Sequence, residues 1–243
     1  HCFGMVLGTL ACCAAGTTMI FPSEGFEPDK TMHVIKSENC TAVHGVPTMF
    51  SAMLASSEFE GKPIKSLRTG IMAGSQCPEI LMRRVLYDLG CSEITIAYGM
   101  TETSPISFQS DVNDPVDVRV STVGRIQPHC EVKIVEDDGS TCAVGQTGEL
   151  WTKGYLVMKG YWNDTAATQS SIENGWMKTG DLATIDNEGF CRIVGRKKDM
   201  VIRGGENIYP AELEDFLTAQ KGILEAHVFG VPDEKFGEQL VAW

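Results

Sequence analysis

Five consecutive residues, Tyr98-Gly99-Met100-Thr101-Glu102, combine an aromatic face, a flexible glycine, a hydroxyl and a carboxylate. That set suits a nucleotide. An aromatic ring can stack on a purine, a threonine hydroxyl can bond a phosphate oxygen, and a carboxylate can hold Mg2+, which takes oxygen ligands and is shared with phosphates. The same residues would also serve a strand-to-loop turn with a buried Tyr and a solvated Glu, so the loop by itself leaves both readings open. Further along, Thr179-Gly180-Asp181 precedes a strand-like run, and Asp181 offers two acceptor oxygens to the paired hydroxyls of a ribose, a plain turn aspartate being the alternative. Two denser segments follow, Gly195-Arg196-Lys197-Lys198-Asp199 and Arg203-Gly204-Gly205-Glu206-Asn207-Ile208-Tyr209-Pro210-Ala211-Glu212-Leu213-Glu214.

The elements that must carry these residues are readable from periodicity. Apolar runs at 17–21, 40–44, 69–73 and 93–97 read as buried strands. Amphipathic stretches at 29–37, 47–55 and 78–89 are long enough for the crossover helices of right-handed βαβ units. Ligands of such sheets gather at the carboxyl ends of strands, which points to the loops beginning at Gly74 and Tyr98. After about residue 110 the texture changes to short alternating segments at 131–135, 148–152 and 191–194, with strong turn signals at 137–140 and 186–189. From Arg196 onward, 199–203 predicts a strand, 210–220 a helix with Pro210 at its first turn, and 225–230 another strand. The expected fold class is α/β: a mainly parallel sheet layered with helices over 1–110, a β-barrel-like subdomain over 111–196, and the start of a small α+β domain over 197–243.

A chain of 243 residues can bury a sizeable core, and a formal charge of -12 argues against nucleic acid, whose binding needs clustered Lys and Arg. Nine cysteines without a CxxC pair or a zinc spacing read as buried thiols in a reducing compartment, cytoplasm or mitochondrial matrix. The apolar stretch 3–15 is too short to cross a membrane, where roughly 20 residues are needed, and reads as a core helix. The histidines share no spacing that suggests a metal site or a triad.

In this order and spacing, YGMTE at 98–102, TGD at 179–181 and GRKKDMVIRGGENIYPAELE at 195–214 resemble the adenylate-forming superfamily of acyl-CoA synthetases, luciferases and peptide-synthetase adenylation domains. Ala73-Gly74-Ser75, Gly148-Glu149-Leu150 with Gly154, and Gly160-Tyr161-Trp162 add to the likeness, which spans nearly the whole chain. Within that group, HGVPTMF at 44–50 and IRGGENIYPAELE are most similar to the medium-chain fatty acyl-CoA synthetase branch.

The resemblance implies roles position by position. Tyr98 would pack against adenine, with Gly99 and Met100 in the same loop and Met100 near the acyl group. Gly74 and Ser75 would line the adenine and acyl site. Thr101 would contact the phosphates, Glu102 would ligate Mg2+, and Asp181 with Arg196 would hold the ribose. Lys198 matches a hinge position, and Gly204 and Gly205 would approach the pantetheine arm of CoA. His1 matches an acyl-pocket position, and the absence of a carboxylate in His1-Cys2-Phe3 favours a simple carboxylic acid over an amino acid. The implied activity is an ATP-dependent fatty acid–CoA ligase that works through an acyl-adenylate, with ATP, Mg2+ and CoA as ligands. Another adenylate-forming enzyme, activating aryl or amino acids, and a non-catalytic nucleotide-binding module are the alternatives. The family's phosphate loop is expected upstream of His1 and its catalytic Lys beyond Trp243, so these 243 residues alone are expected to adenylate weakly or not at all.

Overall fold

In the computed structural model, which describes residues 1–75, 77–223 and 226–243, three apolar runs become parallel strands, β1 (Ala42–Gly45), β2 (Thr69–Ala73) and β3 (Glu93–Tyr98). β2 lies between the other two, and the pairs Val43↔Gly70 and Gly70↔Ile94 set the register. A side chain at 70 would put its Cβ 1.8 Å from the Val43 carbonyl oxygen, so only glycine fits there. Four of the six β3 residues are buried, as a strand covered on both faces requires. Two short antiparallel strands, β4 (Phe108–Gln109) and β5 (Arg125–Ile126), extend the sheet to the order β1-β2-β3-β4-β5.

Beyond α1 (Ala11–Ala15), the helices of this part are α2 (Pro28–Ser37), α3 (Pro47–Ala55), α4 (Glu79–Tyr87) and α5 (Val116–Ser121). Proline at the first turn starts α2 and α3, where its missing N–H costs nothing. α2 buries Thr31, Met32 and Ile35, while α4 buries Met82, Val85 and Leu86, spacings that keep one helix face inward. They meet Phe50 and Met53 of α3, Met72 of β2, and Ile94 and Ile96 of β3 in one apolar core.

The chain divides into two compact units, His1–Cys130 with Tyr155–Lys159, and Glu131–Gly154 with Gly160–Trp243. The second unit is built on two sheets. One contains β6 (Cys130–Val135), β7 (Gly148–Gly154), β8 (Ile172–Glu173), β9 (Trp176–Ile185) and β10 (Cys191–Arg196) in the order β10-β9-β7-β6, with β8 on β9 and α6 (Thr165–Ser171) leading into β8. On one face the Lys133 ammonium lies 4.6 Å from the Trp151 ring centre and 4.7 Å from that of Trp176, cation–π contacts each worth about 0.5–1 kcal/mol. The turns around 137–140 and 186–189 form as expected: Asp138 accepts from the Ser140 N–H at 2.8 Å, and Asp186 from the Glu188 and Phe190 N–H groups at 2.9 Å. The other sheet, β12-β11-β14-β13, consists of β11 (Val201–Arg203), β12 (Glu206–Ile208), β13 (Val228–Asp233) and β14 (Gly237–Ala242), and α7 (Pro210–Thr218) packs on β13.

Three expectations change. Residues 17–21 form no strand, and Phe21 is 75% exposed, because no other segment of the unit pairs with them. The stretch 3–15 is helical, a π-helix over Phe3–Leu10 running into α1, yet it is no core helix: none of its residues is buried. Periodicity encodes the helix, whereas burial needs a partner surface. The strand expected at 225–230 is realised as β13, which starts at Val228, and Glu225 lies outside the described residues.

All nine cysteines are free thiols. Cys91 and Cys191 are completely buried, and burial pushes both thiols up to about 12. Iodoacetamide at pH 8 should therefore modify the exposed Cys13 within minutes and leave Cys91 and Cys191 untouched until denaturant is added; peptide mass spectrometry reads the difference.

Candidate nucleotide site

The register of the parallel strands brings the first group of residues together. Ala73 pairs with Ala97, so Gly74-Ser75 and Tyr98-Gly99 leave adjacent strands side by side at the carboxyl edge, where β1 also ends. Gly74 and Ser75 are exposed, and Tyr98 is half-buried with its ring edge-on to the fully buried Phe108 at 6.2 Å between centres. At position 99 a Cβ would lie 2.1 Å from the Pro105 carbonyl oxygen and 2.7 Å from the Ile106 Cα. The glycine lets the loop fold back on its own continuation.

Thr103, which sequence reasoning passed over, fixes the loop. It is fully buried at the end of the 3-10 turn Thr101–Thr103; its Oγ1 accepts the Met100 N–H at 3.1 Å, and its hydroxyl donates to the Met100 carbonyl at 3.1 Å. With Thr103 inward, Thr101 is left exposed and Glu102 half-exposed. The Glu102 carbonyl accepts the Met158 N–H at 2.9 Å, which ties the turn to residues 155–159. The signal was a third hydroxyl-bearing residue two positions after Thr101, a local backbone bonder by type.

In the second unit, Asp181 does not precede a strand, as the sequence suggested, but sits inside β9 opposite Arg196 of β10. The Arg196 Nε is 3.4 Å from the Asp181 Oδ1; the carboxylate side chain is 13% exposed and the guanidinium 62%, so the aspartate is fixed and the arginine adaptable. Thr179 donates its hydroxyl to the Leu150 carbonyl at 2.7 Å and accepts the Asp181 N–H at 3.1 Å. Gly180 has φ +73, a left-handed conformation that glycine adopts without strain. Lys197 lies 2.8 Å from Asp137 and 3.5 Å from Glu149, and the hydrogen bond that it donates to the Asp137 carboxylate holds its ammonium above the ordinary lysine range. Lys198 is exposed on the 3-10 turn Lys197–Asp199. Gly204-Gly205 forms the two-residue turn between β11 and β12, with the Gly204 N–H donating to the Phe236 carbonyl at 2.8 Å and the Arg203 guanidinium 4.3 Å above the Phe236 ring.

Among the described residues no group of three or more His, Cys, Asp or Glu is placed so that it could hold a metal ion. A cation beside Glu102 would therefore take its other oxygens from phosphates and water, which is the donor set Mg2+ favours.

The family model of AMP-binding enzymes matches residues 1–162. The chain belongs to this family. Over its whole length it is 52% identical to the Bacillus subtilis protein YngI, 47% identical to the acyl-CoA ligase sidI of Aspergillus fumigatus and 45% identical to the medium-chain acyl-CoA ligase ACSF2, mitochondrial, of Danio rerio. It spans 44%, 42% and 40% of the lengths of these relatives. The ATP-bound structure of MatB from Rhodopseudomonas palustris superposes with a TM-score of 0.90 at 31% identity, covering all of this chain and 47% of that one. MenE of Bacillus subtilis, an o-succinylbenzoate CoA synthetase in complex with the acyl-adenylate OSB-AMP, gives 0.86 at 33% identity, covering all of this chain and 48% of that one. The resemblance to adenylate-forming enzymes read from the motifs is borne out, as is the α/β fold class.

In this member of the AMP-binding family, the two candidate-site glycines separate steric need from conformational need. Gly99→Ala drives a Cβ into backbone and should cost about 2 kcal/mol or more in urea unfolding. Gly180→Ala meets nothing within 4 Å and pays only the left-handed backbone, about 1–2 kcal/mol.

Proposed function

We propose that the protein containing this chain is an AMP-forming acid–thiol ligase that activates a fatty acid, of medium chain length, with ATP and transfers the acyl group to CoA. The observation that carries the reading is the side-by-side exit of Gly74-Ser75 and Tyr98-Gly99 from adjacent parallel strands, directly before the Thr101–Glu102 turn. Acyl-CoA ligases among the relatives at 41–52% identity support it, and so does the likeness to solved structures bound to ATP and to an acyl-adenylate.

In this reading the substrate carboxylate attacks the α-phosphorus of ATP and pyrophosphate leaves; the CoA thiol then attacks the acyl carbonyl and AMP leaves. Tyr98 stacks on the adenine, with Gly74 and Ser75 lining the base and acyl site. Thr101 donates its hydroxyl to a phosphate oxygen, and Asp181 accepts from the ribose hydroxyls with Arg196 beside it. Glu102 would hold Mg2+, which when bound supplies positive charge to the phosphate oxygens. Met100 lies near the acyl group, Lys198 serves as the hinge, and Gly204-Gly205 lets the pantetheine arm approach the backbone. The segments 1–110, 111–196 and 197–243 act as nucleotide-binding, barrel-like and lid portions. A reducing compartment, cytoplasm or mitochondrial matrix, accords with nine free thiols. No helix among the described residues is long and apolar enough to cross a membrane.

The test is AMP and acyl-CoA formation from ATP, CoA and acids of increasing length, using protein expressed with its native flanking sequence. Thioester yield should peak at medium chains and fall about 100-fold or more in both Asp181→Ala and Glu102→Ala, a loss of roughly 2.7 kcal/mol of transition-state stabilisation. AMP without thioester would instead mark another adenylate-forming chemistry, and nucleotide binding without turnover a non-catalytic module.

A further inference from the structure

β9 is longer than its neighbours where it carries Asp181. Between the pairs Glu149↔Leu182 and Trp151↔Lys178, β7 contributes Leu150 alone, whereas β9 contributes Thr179, Gly180 and Asp181. On the other side β10 has an extra residue, Val194, between its pairs with Ala183 and Leu182, just before Arg196 comes opposite Asp181. Bulges of this kind re-aim a side chain at the expense of ladder hydrogen bonds. Side chains supply the missing bonds here. The Thr179 hydroxyl donates to the Leu150 carbonyl at 2.7 Å, and the Gly180 N–H donates to Glu149 Oε1 at 3.2 Å. The second Glu149 oxygen, Oε2, lies 3.5 Å from the Lys197 ammonium, one residue beyond Arg196.

Glu149 is an unusual tenant for that place. Its side chain is only 16% exposed, and an almost buried carboxylate persists only where partners offset its desolvation. An apolar residue would satisfy the packing of β7, whose neighbours Gly148 and Leu150 are fully covered. What a carboxylate adds is an acceptor for the Gly180 N–H, which the bulge takes out of the ladder immediately before Asp181.

We propose that Glu149 is a positioning residue for nucleotide recognition: by accepting the Gly180 N–H it sets the bulge that aims the Asp181 carboxylate at the ribose hydroxyls. The inference rests on Asp181 being the ribose ligand. The tie to Lys197 is secondary, because that lysine is 43% exposed and already bonded to Asp137.

Two near-isosteric changes separate the acceptor from the charge. Glu149→Gln keeps an oxygen for Gly180 and loses the charge; Glu149→Asp keeps the charge and withdraws the oxygen by one methylene. Affinities for ATP and for 2′,3′-dideoxy-ATP are measured by isothermal titration calorimetry on protein with its native flanks. Circular dichroism verifies that each variant is folded. Wild type should prefer ATP, and Asp181→Ala should erase the preference. Glu149→Asp should raise the Kd for ATP about tenfold, equivalent to 1.4 kcal/mol, with little change for the dideoxy analogue. Glu149→Gln and Lys197→Met should stay within about threefold of wild type. Added to Asp181→Ala, Glu149→Asp should change the Kd by less than about twofold, since there is no carboxylate left to aim.

A Glu149→Asp variant that retains the ATP preference, or one that weakens both nucleotides equally and additively with Asp181→Ala, overturns the proposal while leaving Asp181 as the ribose ligand. The reverse pattern, Gln impaired and Asp normal, also overturns it, since the charge and not the acceptor would then matter. If wild type binds both nucleotides equally, the assignment of Asp181 itself fails, and the role of Glu149 fails with it.

Discussion

Parallel pairing in register is the constraint on which the first unit depends. Parallel neighbours cannot be joined by a tight turn, so the chain between β1, β2 and β3 must cross back over the sheet, and α3 and α4 are those crossings. Helix packing on the sheet then buries the strands, which is why β3 is apolar along most of its length. The same geometry makes every parallel strand end on one edge. Which residues reach that edge follows from chain direction: Gly74, Ser75 and Tyr98 to Glu102 arrive there because they are the residues that come next.

Position along a strand does not fix where a side chain points, and the loop and β9 solve this differently. After Tyr98 the backbone doubles back so closely that residue 99 can carry no side chain, and the buried Thr103 hydroxyl closes the turn on Met100. In β9 the strand continues and is deformed instead, with three residues opposite Leu150 and side-chain oxygens of Glu149 and Thr179 replacing ladder partners. Both devices use polar groups inside the fold to hold a neighbour in place, the exposed Thr101 and half-exposed Glu102 in the loop and the largely covered Asp181 in β9. The pattern accords with the cost of burying an unpaired donor, about 1–3 kcal/mol: a backbone that leaves the ladder must find another acceptor.

What the sequence made legible follows the same division. The α3 boundaries at 47 and 55 and the β2 boundaries at 69 and 73 are read correctly, because proline, glycine and apolar periodicity act locally. The bulge could not be read, since Thr179-Gly180-Asp181 carries turn residues and looks like a loop before a strand; only the pairing of β7 and β10 with its flanks makes it part of β9. Glu149 was visible within a motif, but no local rule links it to a backbone N–H 31 positions away. Residues 17–21 fail for the opposite reason. Their strand propensity is real, and a strand requires a neighbour that local sequence does not specify. For the candidate site, residue types suggested a chemistry to test, and the contacts that hold those residues were the part hidden in tertiary structure.

Charge along the β9–β10 edge bears on which part of a nucleotide could rest there. Asp137, Glu149 and Asp181 face Arg196 and Lys197, so three carboxylates meet two cations, with separations from 2.8 to 3.5 Å. Each cation is already engaged, and the local sum is negative, as is the chain's formal charge of -12. Near a protein surface two unit charges at about 4 Å interact by roughly 4 kcal/mol, so a triphosphate placed against this edge would meet repulsion that no free cation of the cluster offsets. A sugar carries no charge and presents hydroxyl donors, for which an almost buried carboxylate with oriented oxygens is a good acceptor. On the proposed assignment of Asp181 to the ribose, the charge balance of this cluster accords with the neutral middle of a nucleotide resting there and leaves phosphate recognition to other residues.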